Sequence, residues 1–97
     1  MKTKIIEALK KCAKAHKVEC NVYDEDPHDT QVAIMGLNIP LEADVRMIVE
    51  AFYGHSNIIV SPDQSWGYIN VLLDYFPMLP KPDMEMVKLA LPSRKRW

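Results

Sequence analysis

Cysteine is scarce in this chain. Cys12 and Cys20 are the only two, whereas a small secreted domain usually carries several, so reduced thiols and a cytoplasmic setting are expected. Glycine is scarcer for the length, and Gly36, Gly54 and Gly67 each sit where a turn or a helix cap wants one, which leaves no glycine loop to cradle a phosphate. Long apolar runs are missing too. Nothing approaches the roughly 20 residues needed to cross a bilayer, and the opening Met1-Lys2-Thr3-Lys4 lacks the apolar stretch of a secretory signal. A membrane is therefore not an expected partner. His28 beside Asp29 and His55 beside Ser56 are only sequence neighbours, and adjacency in sequence does not supply the spatial relay of a nucleophilic site. An enzyme is not expected, and neither is a cofactor.

What is present is ordinary globular material. The 97 residues are 48% apolar and 26% charged, enough for one domain with a single core. Its main feature is a helix, strand, strand unit written twice. Residues 4–36 begin with a helix carrying Ile5, Leu9, Cys12 and His16 on one side and Lys4, Lys10, Lys11, Lys14 and Lys17 on the other. Two strands follow, with Val18, Cys20 and Val22 and then Val32 and Ile34 pointing inward. Residues 41–73 repeat the order. Pro40 suits the first turn of a second helix bearing Val45, Ile48, Val49 and Phe52, and Gly54 suits its end. The third strand is expected over Ile58–Val60, a turn over Ser61–Ser65, and the fourth strand through Ile69, Val71 and Leu73. Helix positions match at an offset of 40 residues, whereas Val32 and Ile34 match Ile69 and Val71 at 37.

The fold class that follows is α+β: two tandem α-β-β units, a four-stranded mainly antiparallel sheet and two helices on one face. Moving the first strand of a split β-α-β-β-α-β arrangement to the end gives this order, so a permuted ferredoxin-like sheet is one topology and a plain meander its rival. The domain is expected over residues 1–74. A proline-rich extension, 75–97, follows, with Pro77, Pro80 and Pro82 imposing irregular structure. Within it Met84–Leu91 reads either as a short helix capped by Asp83 or as an edge strand. The open sheet face should carry Glu19, Asn21, Tyr23, Gln31, Ala33, Met35, Ile59, Tyr68, Asn70 and Leu72. That set is too apolar to be purely solvent-facing, so either the extension folds back over it or another protein does.

Charge is sorted along the chain although the net value is −1. Residues 1–17 hold six Lys against Glu7, residues 18–74 hold ten acids against Arg46, and residues 75–97 hold five bases against two acids. A bipolar surface of this kind suits docking on a charged partner. The acidic turn of Asp24, Glu25, Asp26 and Asp29, with Asp63 on the other hairpin, offers carboxylates to an Arg or Lys patch, and Tyr23, Met35 and Tyr68 lie on the adjoining face. The same acids also serve as plain solvated turns.

The preferred functional reading is a small, non-catalytic, intracellular protein-binding module that covers a basic, nucleic-acid-binding surface on a larger protein. In size and style it suits a phage or mobile-element accessory protein that inhibits a host complex, and a homodimer is an open alternative. No motif of a known family is matched. A second reading stacks single-stranded nucleic acid on Tyr23 and Tyr68 with Arg94, Lys95 and Arg96 nearby, but the acidic turn repels phosphate. A third is a zinc site from Cys12, His16, Cys20 and His28, although structural zinc sites use tighter knuckles. Against it, Cys12 reads as a small core residue and His16 as a hydrogen-bonded one.

Overall fold

A computed structural model describes residues 2–91. Helix α1 (Lys2–Ala15) sinks Ile5, Ala8, Leu9, Cys12 and Ala13 into the core and leaves its lysines outside. It ends in a pair of bonds, Val18 N–H to Ala13 O and Lys17 N–H to Lys14 O, the pattern of a helix stop with one left-handed residue. That residue is Lys17, with φ 59. Helix α2 (Ile39–Tyr53) starts where the Asn38 side chain accepts from Leu41 N–H at 2.8 Å and Pro40 occupies the first turn. Gly54, φ 85, closes it. Its buried stripe of Leu41, Val45, Ile48, Val49 and Phe52 faces the same core as α1. Each such side chain contributes about 1.5–3 kcal/mol by leaving water.

Strands β1 (Cys20–Tyr23), β2 (Gln31–Ile34), β3 (Val60–Asp63) and β4 (Tyr68–Leu72) form one antiparallel sheet in the order β1-β2-β4-β3. The meander is therefore not the topology. The second strands of both units lie side by side in the middle, paired Val32 to Val71, Ala33 to Asn70 and Ile34 to Ile69. Shifting β2 by the 37-residue offset lands on β4 in this register, and shifting β1 by 40 lands on β3. The repeat is thus a pseudo-two-fold rotation about an axis through the Ala33–Asn70 pair. Helix positions obey it: Ile5 and Val45, Leu9 and Val49, and Cys12 and Phe52 are matched and fully buried.

Two expectations need correcting. The third strand does not run Ile58–Val60 but starts at Val60 and continues through Ser61, Pro62 and Asp63, so the turn is confined to residues 64–67. Three adjacent apolar residues carry no period by which to place a register, whereas pairing with β4 fixes it: Leu72 N–H donates to Ile59 O, and Ile59 points into the core while Ile58 is exposed. With that hydrogen-bonded pair as the phase mark, the residues facing β4 alternate, and Pro62 falls where a missing N–H would point off the sheet edge.

The extension is the second: of the two readings of Met84–Leu91 the short helix capped by Asp83 holds and the edge strand does not. Asp83 accepts from Met86 N–H and opens a third helix, α3 (Met84–Ala90), which packs on α2 and buries Val87 and Ala90. Leu79 N–H and Asp83 N–H donate to Phe52 O and Ala51 O at the end of α2. Phe76 and Met78 pack against the core. Among the described residues the extension joins the helical side and does not cover the open sheet face. No helix among them is long and apolar enough to cross a membrane.

Candidate functional site

Alternation along the strands builds the open face. Because Val32 and Ile34 are core residues, Ala33 points the other way, and the register then sets Asn21 and Asn70 beside it. Tyr23 lies opposite Gln31, and Asp63 lies opposite Tyr68 at the far corner. Tyr23, Gln31, Ala33, Met35, Tyr68 and Asn70 line a shallow groove of about 260 Å³. Ala33, the small residue on the pseudo-two-fold axis, is its floor. The three groups expected on this face, Tyr23, Met35 and Tyr68, are therefore brought together, with Tyr23 and Met35 exposed. Ile59, expected among them, is in the core instead.

One prominent residue was not anticipated. Trp66 stands 76% exposed on the short β3–β4 turn, whose backbone is held by its own N–H donating to Asp63 Oδ1 at 3.2 Å. Ser65 and Gly67 flank it, and an aromatic between turn formers has no core to enter, which is the sequence signal for an exposed ring. Glu19 and Asp63 are the ionisable acids and bases of the face, and both are acidic. Among the described residues no Lys or Arg lies on it.

The acidic turn lies at the other end of the sheet, because β2 and β4 are antiparallel and each hairpin tip precedes one of them. It is anchored. Lys2 Nζ donates to Pro27 O at 3.3 Å, Thr30 Oγ1 at 3.1 Å and both Asp74 oxygens at 3.0 and 3.2 Å. Burial alone pushes the Asp74 carboxyl up, but the Lys2 ammonium and the Thr30 N–H and hydroxyl outweigh it and hold the group below the usual range. Asp26 accepts from His28 N–H, and Asp29 accepts from the Gln31 amide. Asp29's charge, with its hydrogen bond, also pushes the Tyr75 phenol up. Asp24 and Glu25 are exposed. The turn thus presents two outward carboxylates on a braced support.

The cysteine and histidine set assembles only in part. Cys12 of α1 and His16, one turn on and just past the helix end, meet Asp44 of α2, with His16 Nε2 and Asp44 Oδ2 2.7 Å apart. Cys12 Sγ, a His16 ring nitrogen and an Asp44 oxygen lie within 4.8 Å of one another. Cys20 and His28 do not join them; His28 is on the exposed turn. Burial, then the charge of Asp44 and then Cys20, push the Cys12 thiol up to about 12. Burial likewise raises Cys20, with Lys10 pulling against it. At both positions burial disfavours the thiolate. Asp44 was legible only as an acid near the positive end of α2, since no local pattern says which helix will face it.

Compared with protein-family models, curated proteins and solved structures, the chain matches none.

Proposed function

We propose that this protein is a non-catalytic binding module that docks a basic or polar protein surface on its open sheet face. The observation that carries the reading is the combination on that face of exposed Tyr23 and Met35 and half-buried Tyr68 beside Glu19 and Asp63, with exposed Trp66 on the adjoining turn and no Lys or Arg among the face's described residues. Tyr and Trp are the side chains most often found to dominate binding energy, since they cover much area while losing few rotamers. Carboxylates around them select a partner rich in Arg or Lys and speed its approach. Asp24 and Glu25 extend the negative field to one end of the sheet. A partner surface of that kind is also what binds nucleic acid, so occupation by this chain would exclude a nucleic-acid ligand from it.

The test uses separated variants. Trp66→Ala with Tyr68→Ala should abolish recovery of a specific partner, and Asp24→Ser with Glu25→Ser should slow association and reduce its salt dependence. Equal recovery by wild type and both variants would refute the reading. The rival, a nucleic-acid surface using Tyr23 and Tyr68, lacks basic residues on the described face; Arg94, Lys95 and Arg96 lie outside the described residues. Salt-sensitive binding of labelled single-stranded DNA or RNA that disappears in Tyr68→Ala would favour that rival.

A further inference from the structure

We propose that Cys12, His16 and Asp44 form a zinc-class divalent cation site that clips α1 to α2. A thiol, an imidazole and a carboxylate are three of the donors that zinc takes, and a sulfur donor selects zinc-like ions over magnesium or calcium. Their donor atoms all lie within 4.8 Å of one another. With metal–ligand bonds of roughly 2.0–2.3 Å, a tetrahedral site needs donor separations of roughly 3.4–3.6 Å. The 2.7 Å His16–Asp44 contact has to open by about 0.7–0.9 Å and the thiol, within 4.8 Å, to close in by no more than about 1.4 Å, which rotamer adjustment supplies.

Access and charge also fit. Cys12 is fully buried, whereas the His16 and Asp44 side chains are 16% and 23% exposed, so an ion reaches the cluster from the solvent side and keeps a fourth position for water. On binding, the Cys12 S–H bond breaks, the sulfur bonds the metal and the proton leaves to solvent. The dication, one thiolate, one carboxylate and a neutral imidazole then sum to zero, which a partly buried site requires.

The internal repeat supplies an independent argument. Moved by the 40-residue offset, Cys12 and His16 correspond to Phe52 and Ser56, and Asp44 corresponds to Lys4. Those three residues make no ligand set, so the repeated unit itself does not demand one.

The experiment titrates the full chain, stripped of metal and kept reduced, with cobalt(II) chloride and then zinc chloride. Binding of one equivalent is expected, with a thiolate-to-cobalt charge-transfer absorption and a raised melting temperature on adding zinc. Cys12→Ala should lose that absorption, and Asp44→Asn should weaken binding by more than about tenfold. Cys20→Ser and His28→Ala should bind as wild type does. Because Cys12 is buried, circular dichroism checks each variant's fold, and Asp44→Asn carries the test if Cys12→Ala unfolds. Absence of saturable one-to-one binding, unchanged affinity in Asp44→Asn, or loss of binding in Cys20→Ser overturns the site.

Discussion

Removing Asp74 should destabilise the protein far more than removing the lysine it pairs with. Asp74 Oδ2 accepts the Thr30 backbone N–H at 2.7 Å, and Thr30 is only 2% exposed. In Asp74→Ala that N–H loses its acceptor where water reaches poorly, at about 1–3 kcal/mol, and the ion pair goes with it. Lys2 is different. Its side chain is 36% exposed, so its pair is worth about 0.2–1 kcal/mol, and it sits at the positive end of the α1 dipole, where a cation is disfavoured by about 0.3–1 kcal/mol. The expected losses are therefore about 2–3 kcal/mol for Asp74→Ala, about 1 for Asp74→Asn, which keeps an acceptor, and no more than about 1 for Lys2→Met.

Urea unfolding at neutral pH measures them, and for a domain of this size 1 kcal/mol corresponds to about 4–8 °C in melting temperature. The pH dependence has a definite sign. Asp74's folded-state pKa is depressed, so between it and the ordinary value of about 4 the unfolded chain binds the proton and the folded one does not. The stabilisation is complete above that window and is lost as pH falls through the folded value. Asp74→Asn should flatten this part of the acid profile. Equal losses in Asp74→Asn and Asp74→Ala, or a Lys2→Met loss matching Asp74→Ala, would refute the backbone-acceptor argument.

Other outcomes follow from single features. Lys17→Gly relieves the left-handed strain at the end of α1 and should stabilise the fold by about 0.5–1 kcal/mol in the same urea assay, net of the glycine's greater unfolded entropy. Pro62→Val restores an outward N–H to the β3 edge and should lower solubility, read as concentration-dependent light scattering, with little change in the unfolding midpoint. Trp66→Ala should change stability by less than about 0.5 kcal/mol, because so exposed a ring has little to lose, while partner binding falls. Phe52→Ala, in the fully buried stripe of α2, should cost about 3–5 kcal/mol by thermal unfolding.

Much of the architecture was legible because periodicity reports which side of an element is buried. The stripes of α1 and α2, Pro40 in the first turn and Gly54 at the end of α2, and the inward positions of β2 and β4 are local signals. The start of β3 was not, since Ile58, Ile59 and Val60 all look alike; the 40-residue offset from Cys20–Tyr23 points to Val60–Asp63 and was the better guide. The packing of α3 on α2 depends on where Leu79 and Asp83 find backbone acceptors, and no spacing encodes that. On the open sheet face, Tyr23, Met35 and Tyr68 were legible from alternation, whereas Trp66 sits on a turn that has no alternation to read. Asp44 was hidden for a related reason. A residue's partner across a helix–helix interface is set by the packing of two elements and leaves no mark in either one alone.

The symmetric seam between β2 and β4 has a consequence for how the chain can be divided. Because Ala33 pairs with Asn70 on the axis and the flanking pairs exchange under the rotation, each half presents to the other the same kind of strand edge that it receives. Such a seam can be closed by two copies of one half as well as by two different halves. Cutting the chain between the units, or writing one unit twice, leaves the hydrogen-bonding demand at the centre of the sheet unchanged. What would then vary is whether Tyr23 faces another Tyr23 or Asp63 across the groove.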